Sequence, residues 1–250
     1  MKIKVYSKPQ TMFAALYLVE QLDKLGHCAS IVKSINRHDE TLHIIYNASA
    51  CPVMPKNYIV YQTEVPGSPW FTGRYYDVIA EAKAVWEYSA CNIDAYRQHN
   101  GNVAIVRPGV FPQTVGDKDI PYLFYGHIQP GNRRVSMVEN LKKLLPLKVV
   151  THTLENEMWK ILNRTKVVIN LHFYHNAPLE QFRVCEALSF GCHVVSENSA
   201  CGYDRYDEVV SFGNLPGIIE SAKSLSQKPF EYDLQKFNNL REIESGLALL

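Results

Sequence analysis

Hydrophobic residues along the chain alternate between short continuous runs and stretches in which they recur at helical spacing. The clearest example lies at 166–197, where an apolar run at 166–170 precedes a polar loop and apolar positions recur at helical spacing from 179 to 188. A second apolar run follows at 193–196. Because strands buried on both faces of a parallel sheet are apolar throughout, this order predicts a strand, a loop, a helix and a second strand.

The same alternation continues over most of the chain and predicts one fold class. The predicted strands are 2–6, 28–32, 42–46, 57–62, 84–88, 102–106, 122–125, 147–151, 166–171 and 193–196. The predicted helices are 11–25, 75–82, 92–99, 132–145, 155–164, 179–188, 215–226 and 232–247. Strands that alternate with helices are typical of mainly parallel sheets. We therefore expect an α/β protein of two Rossmann-like, doubly wound domains that face each other across a cleft.

A polar segment separates the two sets of elements. Residues 112–121 contain Gly116 and a proline at each end, a composition that is typical of a linker. We therefore expect an N-terminal domain at 1–114 and a C-terminal domain at 115–230. The remaining residues, 231–250, have enough apolar spacing for a last helix, which is expected to pack back on the first domain.

The composition is that of an ordinary globular protein and narrows the choice of partners. Hydrophobic residues make up 46% of the chain, charged residues make up 20%, and the formal net charge is +1. A chain without a strong charge excess is poorly suited to bulk electrostatic binding of nucleic acid or of a membrane. We therefore expect a small or neutral partner and no nucleic acid.

The cysteines and the apolar segments bear on the compartment. Six cysteines occur without any Cys-x-x-Cys spacing, which predicts mostly buried free thiols in a reducing environment. No apolar run approaches the roughly 20 residues that a membrane span requires, and the first residues lack an apolar signal segment. The expectation is a soluble, cytoplasmic protein without a transmembrane segment.

A candidate phosphate site follows the predicted strand 122–125. Gly126 and His127 come directly after this strand, and Arg133 and Arg134 open the next helix. A glycine lets a ligand approach the backbone, a helix N-terminus offers free N–H groups, and arginines supply paired donors, all of which suit a pyrophosphate. The alternative is a solvated basic start of a helix, although arginines are electrostatically better placed at a helix C-terminus.

A second candidate is the charged face of the helix predicted at 179–188. Glu180, Arg183 and Glu186 fall three residues apart on this face. A carboxylate can accept both hydroxyls of a ribose, and an arginine can hold a diphosphate. The alternative is a set of local ion pairs, and spacing alone favours that alternative.

Polar residues also end the predicted strand 57–62. Gln62 and Glu64 lie where the ligands of open α/β sheets bind, outside the carboxyl ends of the strands. They could therefore face a cleft. That Glu64 simply caps the turn is an equally good interpretation.

The sequence offers no clear metal or cofactor motif. His172 and His175 follow a strand, but further ligands for a metal are missing nearby, so we interpret them as the wall of a pocket. No Asp-x-Asp pair occurs, and neither the Gly-x-Gly-x-x-Gly nor the P-loop signature is present. We expect neither a metal nor a cofactor.

Several spaced motifs resemble one family of enzymes. The C-terminal half resembles the donor-binding half of the GT-B glycosyltransferases, especially the retaining family 4 type, through VINLH at 168–172, LE at 179–180, Arg183, EAL at 186–188, Gly191 and VVSE at 194–197. Further similarities are the Tyr125-Gly126 and Arg133-Arg134 pairs, RPGV at 107–110, and the segments 58–64 and 85–89. The resemblance covers residues 58 to 200, and this chain would be a short member.

The resemblance implies roles for individual residues. Glu186 matches the glutamate that holds the nucleotide ribose, Arg134 lies near a phosphate-binding basic residue, and His127 stands where an arginine is more usual. Glu180 and Glu186 have five residues between them, two fewer than the paired glutamates of the family, and Pro178 stands at the expected first position. The implied donor-binding residues are Gly126, His127, Arg133, Arg134, His172, Arg183 and Glu186, with Glu64 and Glu180 as catalytic candidates.

The resemblance also implies an activity. It is the transfer of a hexose from a UDP- or GDP-sugar to a hydroxyl of a saccharide or glycoconjugate, with retention and without a metal. The domain 1–114 would be the acceptor side, and the domain 115–230 would bind the nucleotide sugar. Two alternatives stay open: a nucleotide-sugar 2-epimerase of the same fold, and a catalytically inactive module that binds a sugar nucleotide or a glycan.

Overall fold

The computed structural model describes residues 1–250, except for the side chain of Asp204. The chain divides into a first unit, Met1–Gly109 with Phe237–Leu250, and a second unit, Val110–Lys236. Each unit is built on one parallel β-sheet with helices packed against it. The predicted α/β class with two doubly wound sheets is confirmed.

The first unit contains a six-stranded sheet among its described residues. Its strands are β1 (Lys2–Tyr6), β2 (Cys28–Val32), β3 (Leu42–Tyr46), β4 (Tyr58–Gln62), β5 (Ala84–Glu87) and β6 (Val103–Ile105). They pair in parallel in the order β2-β1-β3-β4-β5-β6. The helices of this unit are α1 (Met12–Lys24), α2 (Gly73–Glu81) and α7 (Leu240–Leu247).

The second unit contains a five-stranded sheet of the same kind. Its strands are β7 (Ile120–Tyr125), β8 (Leu147–Val150), β9 (Thr165–Asn170), β10 (His193–Glu197) and β11 (Val210–Gly213). They pair in parallel in the order β8-β7-β9-β10-β11. Its helices are α3 (Arg133–Leu144), α4 (Glu155–Asn163), α5 (Gln181–Ser189) and α6 (Leu215–Leu225).

Each sheet has one point at which the strand order reverses. In the first unit it lies between β1 and β3, and in the second unit it lies between β7 and β9. The loops that leave two such neighbouring strands run to opposite faces of the sheet and open a crevice at the carboxyl edge, where ligands of open α/β sheets bind. This topology places one candidate ligand site at the carboxyl edge of each sheet.

Burial explains why the continuous apolar runs became central strands. All of β4 is buried, and so are the residues from Val167 to Asn170 in β9. In the second unit, Val167 and Ile169 pack in one core cluster with Phe124 and Leu141. Removing such side chains from water is the main favourable term in folding, so these runs fix the sheet interior.

The chain enters the second unit after Gly109 rather than after residue 114. The Phe111 N–H donates to Ser189 Oγ at 2.8 Å, and the Gln113 N–H donates to Ser189 O at 2.8 Å. These hydrogen bonds attach the segment 110–114 to the end of α5. Hydrogen bonds to Ser189 therefore hold this segment on the second unit, and the polar composition of the segment does not reveal them.

The last residues return to the first unit, where α7 packs against β6 and α1. The helix is shorter than the predicted 232–247. The hydroxyl of Tyr232 is hydrogen-bonded to His193 at 3.0 Å, which holds this part of the chain on the second unit. In the first unit, Glu242 of α7 accepts hydrogen bonds from the N–H and Nη1 of Arg107, both at 2.6 Å.

The predicted and observed elements differ at two further places. The helix predicted at 92–99 is wrong, because the chain forms a short 3-10 turn over Ala90–Ala95 instead. Asn92 Nδ2 and the Tyr96 hydroxyl both donate to the buried carboxylate of Glu87, at 3.0 and 2.8 Å, and these bonds hold the segment in its tight path. Strand β11 was not predicted.

Two features of the structure relate to the expected compartment: the state of the cysteines and the length and apolar character of the helices. Cys51, Cys185 and Cys192 are buried free thiols, and Cys28 is an exposed one. Among the described residues, no helix has both the length and the apolar character needed to cross a membrane.

Candidate functional site

Gly126 lies at the centre of the candidate site, directly after β7 at the reversal point of the second sheet. Its φ is 142°, a value that side chains rarely allow. A Cβ atom at this position would lie 3.1 Å from Arg183 Nη2 and 3.5 Å from Arg134 Nη1. Glycine therefore lets two guanidinium groups lie close to a partly exposed stretch of backbone, an arrangement that suits a bound anion.

Arg134 is a fixed cation on the first turn of α3. It is only 2% exposed, and its Nε and Nη2 donate to Leu171 O at 3.0 and 2.6 Å. Nη1 donates to His127 O at 3.1 Å, and the guanidinium lies over the ring of Phe173 at 5.1 Å. Burial and the neighbouring Arg183 lower the pKa of Arg134 to about 9. Its position is thus set by the protein before any ligand arrives.

Arg133, the preceding residue, is engaged within the protein. Its Nη1 and Nη2 donate to the two carboxylate oxygens of Glu197 at the end of β10, with Nη1 at 2.7 Å from Oε2. Nη1 also donates to His172 O at 2.9 Å. The structure therefore brings Arg133 to the site as a connection between α3 and β10.

His172 and Glu180 form a largely buried pair across the loop that follows β9. His172 Nδ1 lies 2.6 Å from Glu180 Oε2, and Nε2 lies 3.2 Å from the carbonyl oxygen of Asn198. Both partners only accept hydrogen bonds, so the imidazole satisfies both only when each nitrogen carries a proton. This geometry therefore requires a protonated His172, and its charge is matched by the carboxylate of Glu180.

These contacts shift the pKa values of both members of the pair. Burial disfavours the ionised form of Glu180, but the hydrogen bond from His172 and the charges of His172, Arg183 and Arg134 lower its pKa to about 2. Burial likewise disfavours the charged form of His172, but Glu180 and Glu197 raise its pKa. Glu180 is thus ionised near neutral pH, and the equilibrium of His172 is shifted towards its protonated form.

Asn170 connects the pair to α5. Its Nδ2 donates to Glu180 Oε2 and to Ser196 Oγ, both at 2.9 Å, and its Oδ1 accepts a hydrogen bond from Arg183 Nη1 at 2.8 Å. The guanidinium of Arg183 lies 5.6 Å from the centre of the Tyr125 ring. A fully buried amide at the end of β9 thus orients one carboxylate and one guanidinium at once.

Glu186 lies on α5, six residues beyond Glu180, and is partly exposed. Its Oε2 accepts a hydrogen bond from the Tyr125 hydroxyl and its Oε1 accepts one from Trp159 Nε1, both at 2.9 Å. Burial raises the pKa of Glu186, and these two hydrogen bonds oppose that effect. The carboxylate is held by aromatic donors from β7 and α4.

The summed charge of the cluster is positive. Four cations stand against three carboxylates: Arg133, Arg134, Arg183 and His172 against Glu180, Glu186 and Glu197. The positive end of the α3 dipole adds to this field. Arg134 and His172 are buried and the other five groups are partly buried, so their field is stronger than the same charges would create on an open surface.

His127 lies at the rim of this cluster. It is exposed, its Nε2 lies 3.2 Å from Gln129 Oε1, and its ring stacks on Phe173 with 6.1 Å between the ring centres. Its backbone carbonyl, not its side chain, contacts Arg134. The structure brings eight of the predicted residues together in the second unit: Gly126, His127, Arg133, Arg134, His172, Glu180, Arg183 and Glu186.

Glu64 belongs to the first unit. Its Oε1 accepts a hydrogen bond from Ser49 Oγ at 2.6 Å, and burial raises its pKa although this bond opposes the rise. Gln62 is completely buried, and its Nε2 donates to Glu64 O at 2.8 Å and to Glu87 Oε2 at 3.2 Å. The amide of Gln62 therefore supports the backbone at Glu64 and is not presented to a ligand.

A second polar cluster lies at the reversal point of the first sheet. Ser7 Oγ lies 2.8 Å from Thr11 Oγ1, which donates to Asn47 Oδ1 at 2.6 Å. Asn47 Nδ2 lies 3.4 Å from Thr63 Oγ1, and Asn47 has a φ of 52°. This cluster is built from hydroxyl and amide groups, in contrast to the charged cluster of the second unit.

Sequence reasoning missed several residues of the site. Asn170 and Glu197 lay within the family motifs but were given no role, although each is a polar residue at the end of an apolar strand. Trp159 gave no such signal, because an aromatic residue in a helix is ordinarily part of a core. Tyr125 was noticed only as the residue before Gly126 and was given no role. The described residues contain no group of three or more side chains arranged to hold a metal ion.

No protein family model and no curated protein matches the sequence. Solved structures do resemble it. AviGT4, a glycosyltransferase involved in avilamycin A biosynthesis, superposes with a TM-score of 0.63 at 11% identity, covering 99% of this chain and 96% of that one. The chain has the GT-B fold. Alr3699/HepE of Anabaena, in complex with UDP-glucose, gives a TM-score of 0.56 at 10% identity, covering 100% of both chains.

A third GT-B structure is larger than this protein. A TarM mutant of S. aureus in complex with fondaparinux, α-GlcNAc-glycerol and UDP gives a TM-score of 0.57 at 13% identity. The match covers 94% of this chain but only 58% of that one. At such identities the similarity establishes the fold, and the chemistry of the site has to be argued from the residues of this chain.

Proposed function

We propose that this protein is a glycosyltransferase that moves a hexose from a UDP- or GDP-sugar to a hydroxyl of a saccharide or glycoconjugate. The observation that carries the proposal is the cluster at the reversal point of the second sheet. There, the guanidinium groups of Arg134 and Arg183 lie close to Gly126, and the carboxylate of Glu186 remains partly exposed. A cationic pocket beside a carboxylate suits a nucleoside diphosphate, with phosphates on the cations and ribose hydroxyls on Glu186.

The proposed reaction needs stabilisation of a departing diphosphate and of an oxocarbenium-like sugar. The diphosphate gains charge as the glycosidic bond breaks, so cations that are already in place lower the barrier without reorganisation at that moment. Arg134 and His172 are buried and hydrogen-bonded on several sides, which makes them such cations. In this mechanism they and Arg183 supply the field, and we propose that no metal ion is needed.

Retention is the proposed stereochemistry. The leaving phosphate itself can take the proton of the acceptor hydroxyl, so a strong general base is not required. Glu180 is tied to His172, Asn170 and Arg134. These contacts favour an orienting role for Glu180 over direct attack on the sugar. Glu64 of the first unit stays the proposed carboxylate for contact with the transferred sugar.

We assign the acceptor to the first unit. Its reversal point carries the neutral cluster of Ser7, Thr11 and Asn47, whose hydroxyl and amide groups can both donate to and accept from the hydroxyls of a saccharide. Asn47→Gly keeps a residue that tolerates the φ of 52° and removes the amide. The expected result is a higher KM for the acceptor with an unchanged Kd for the nucleotide.

Calorimetry with UDP and GDP in the presence of EDTA tests the donor site. The wild type is expected to bind one of the two, and Glu186→Ala and Arg183→Ala are each expected to weaken binding by about tenfold or more, as loss of a charged hydrogen bond requires. Arg164→Ala is the matched control, since Arg164 is an exposed arginine of the same unit paired with exposed Asp119. The absence of nucleotide binding by the wild type would contradict the proposal.

Product analysis tests the reaction itself. Incubation with nucleotide sugar and a saccharide acceptor is expected to give a glycoside with the anomeric configuration of the donor, in EDTA as well as in Mg²⁺. An epimerised nucleotide sugar formed without acceptor would identify the alternative 2-epimerase. If the protein binds the nucleotide sugar but neither transfers the sugar nor hydrolyses the donor even slowly, it is an inactive binding module.

A further inference from the structure

The two carboxylate oxygens of Glu186 are held by two different aromatic donors. The Tyr125 hydroxyl donates to Oε2, and Trp159 Nε1 donates to Oε1, each at 2.9 Å. One donor comes from the end of β7 and the other from the middle of α4. A carboxylate bound on both oxygens by ring-borne donors cannot rotate without breaking a hydrogen bond, so its plane is fixed.

The carboxylate keeps acceptor capacity for a ligand. Each carboxylate oxygen has two lone-pair sites, and each internal hydrogen bond uses one of them. One site on Oε1 and one on Oε2 therefore remain, and Glu186 is partly exposed. Two adjacent acceptors on one rigid plane match the two neighbouring hydroxyls of a ribose, which donate in the same direction.

We propose that Trp159 is a positioning residue that fixes Glu186 for the 2′,3′-diol of the donor ribose, so that the site distinguishes ribonucleotides from nucleotides that lack this diol. This inference rests on the proposed function, because it takes a nucleoside diphosphate as the ligand. Trp159 does not touch the ribose in this arrangement. It acts through Glu186, together with Tyr125.

A purely structural role for Trp159 has a different consequence. Its ring lies on α4 in a partly exposed position, outside the fully buried core that Met158 and Leu162 of the same helix enter. If the indole served packing alone, Trp159→Phe would keep most of its contact area, and any loss of binding affinity would be the same for all ligands. If the indole N–H orients Glu186, affinity is lost only for ligands that carry the 2′,3′-diol.

The experiment compares two variants with two ligands. The Kd values of UDP and of 2′,3′-dideoxy-UDP, or of GDP and its dideoxy analogue, are measured for the wild type, Trp159→Phe and Tyr125→Phe. For both variants the Kd of the ribonucleotide is expected to rise about tenfold, in line with a hydrogen bond to a charged group. The Kd of the dideoxy nucleotide is expected to change by less than about twofold, because it makes no bond to Glu186.

The outcomes separate this inference from the proposed function. If the wild type binds neither UDP nor GDP, the proposed function itself is contradicted. If it binds UDP or GDP and Trp159→Phe weakens the ribonucleotide and the dideoxy analogue equally, or weakens neither, the positioning role is overturned while the donor site stands. Lys160→Ala, at the next and exposed position of α4, is the control for changes in the helix and is expected to bind like the wild type.

Discussion

His172 Nδ1 lies 2.6 Å from Glu180 Oε2, and this contact joins the loop after β9 to the start of α5. A lone buried histidine of this kind would be neutral near pH 7, and a lone buried carboxyl would hold its proton. Together they are charged, because each satisfies the other. The pair stabilises the fold and lies beside Arg134, whose Nη2 donates to Glu180 Oε1 at 3.4 Å.

The first prediction concerns the pH dependence of this pair. The pKa of Glu180 is lowered from 4.5 to about 2, so its contribution to stability is present above pH 4.5 and is lost as the pH falls from about 4.5 to 2. The raised pKa of His172 gives a contribution that is complete below its ordinary pKa and is lost as the pH rises through the higher folded value.

Glu180→Gln is therefore expected to lower the free energy of unfolding by about 3 kcal/mol at pH 6, and by progressively less below pH 4.5. Urea unfolding at pH 6, 4.5 and 3.5 measures the difference. Glu157→Gln is the control, because Glu157 is paired with Lys160 on the exposed surface, and such pairs contribute little. A pH-independent difference between Glu180→Gln and the wild type would contradict the charged pair.

The second prediction concerns Gly126. Gly126→Ala places a Cβ 3.1 Å from Arg183 Nη2 and forces alanine to a φ of 142°, whereas Gly131→Ala imposes a φ of 79° with no neighbouring atom within 4 Å. Backbone strain of about 1–3 kcal/mol is expected in both variants. Only Gly126→Ala is expected to weaken nucleotide binding, by about tenfold or more, since only there does the guanidinium have to move.

Calorimetry and thermal unfolding of these two variants separate strain from site geometry. Equal losses of nucleotide affinity in Gly126→Ala and Gly131→Ala would show that strain in the 126–131 loop, rather than the approach of the guanidinium groups, controls binding.

The third prediction concerns Glu87, a completely buried carboxyl in the first unit. Burial raises its pKa to about 7, although donors from Ser89, Asn92, Tyr96 and Gln62 oppose the rise. Between pH 4.5 and 7 the folded state holds a proton here that the unfolded state has released. Stability from this group therefore falls as the pH rises through that window.

Glu87→Gln removes this titration. Between pH 4.5 and 8, the free energy of unfolding of the wild type is expected to fall by about 3 kcal/mol more than that of Glu87→Gln. This difference in slope does not depend on how stable the variant is at any single pH. Chemical denaturation across this range measures the slope. Glu81→Gln, an exposed position at the end of α2, is expected to leave the slope of the wild type unchanged. A Glu87→Gln profile parallel to that of the wild type would contradict the raised pKa.

The fourth prediction concerns the attachment of α7. Glu242 accepts hydrogen bonds from the backbone N–H and the guanidinium of Arg107, both at 2.6 Å. Glu242→Ala is expected to lower the protection of the α7 amides against hydrogen exchange by about 1–3 kcal/mol, since charged hydrogen bonds are lost. Glu244→Ala lies on the exposed side of the same helix and is expected to have no such effect. Equal exchange in both variants would show that apolar packing alone holds the helix.

The sequence predicted most of the fold because its signal is local. Continuous apolar runs and glycine stops identify strands such as β4 and β9 and helices such as α1 from a few neighbouring residues. It failed where distant contacts override local preference. The 3-10 turn at Ala90–Ala95 follows bonds to Glu87, and the segment before α7 follows the bond between Tyr232 and His193.

For the candidate site, the sequence by itself determined the chemical groups and the sheet edge at which they lie. Glycine after a strand, arginines at a helix start and carboxylates on one helix face were all visible, because each is a pattern within a few residues. Only the tertiary structure decided which groups stay available. It binds Arg133 to Glu197, makes His172 a cation through Glu180, and holds Glu186 between Tyr125 and Trp159. The hydrogen bonds of Arg133 and Glu186 span 27 to 64 residues of chain and cannot be inferred from local spacing, since they depend on how the strands are ordered in the sheet.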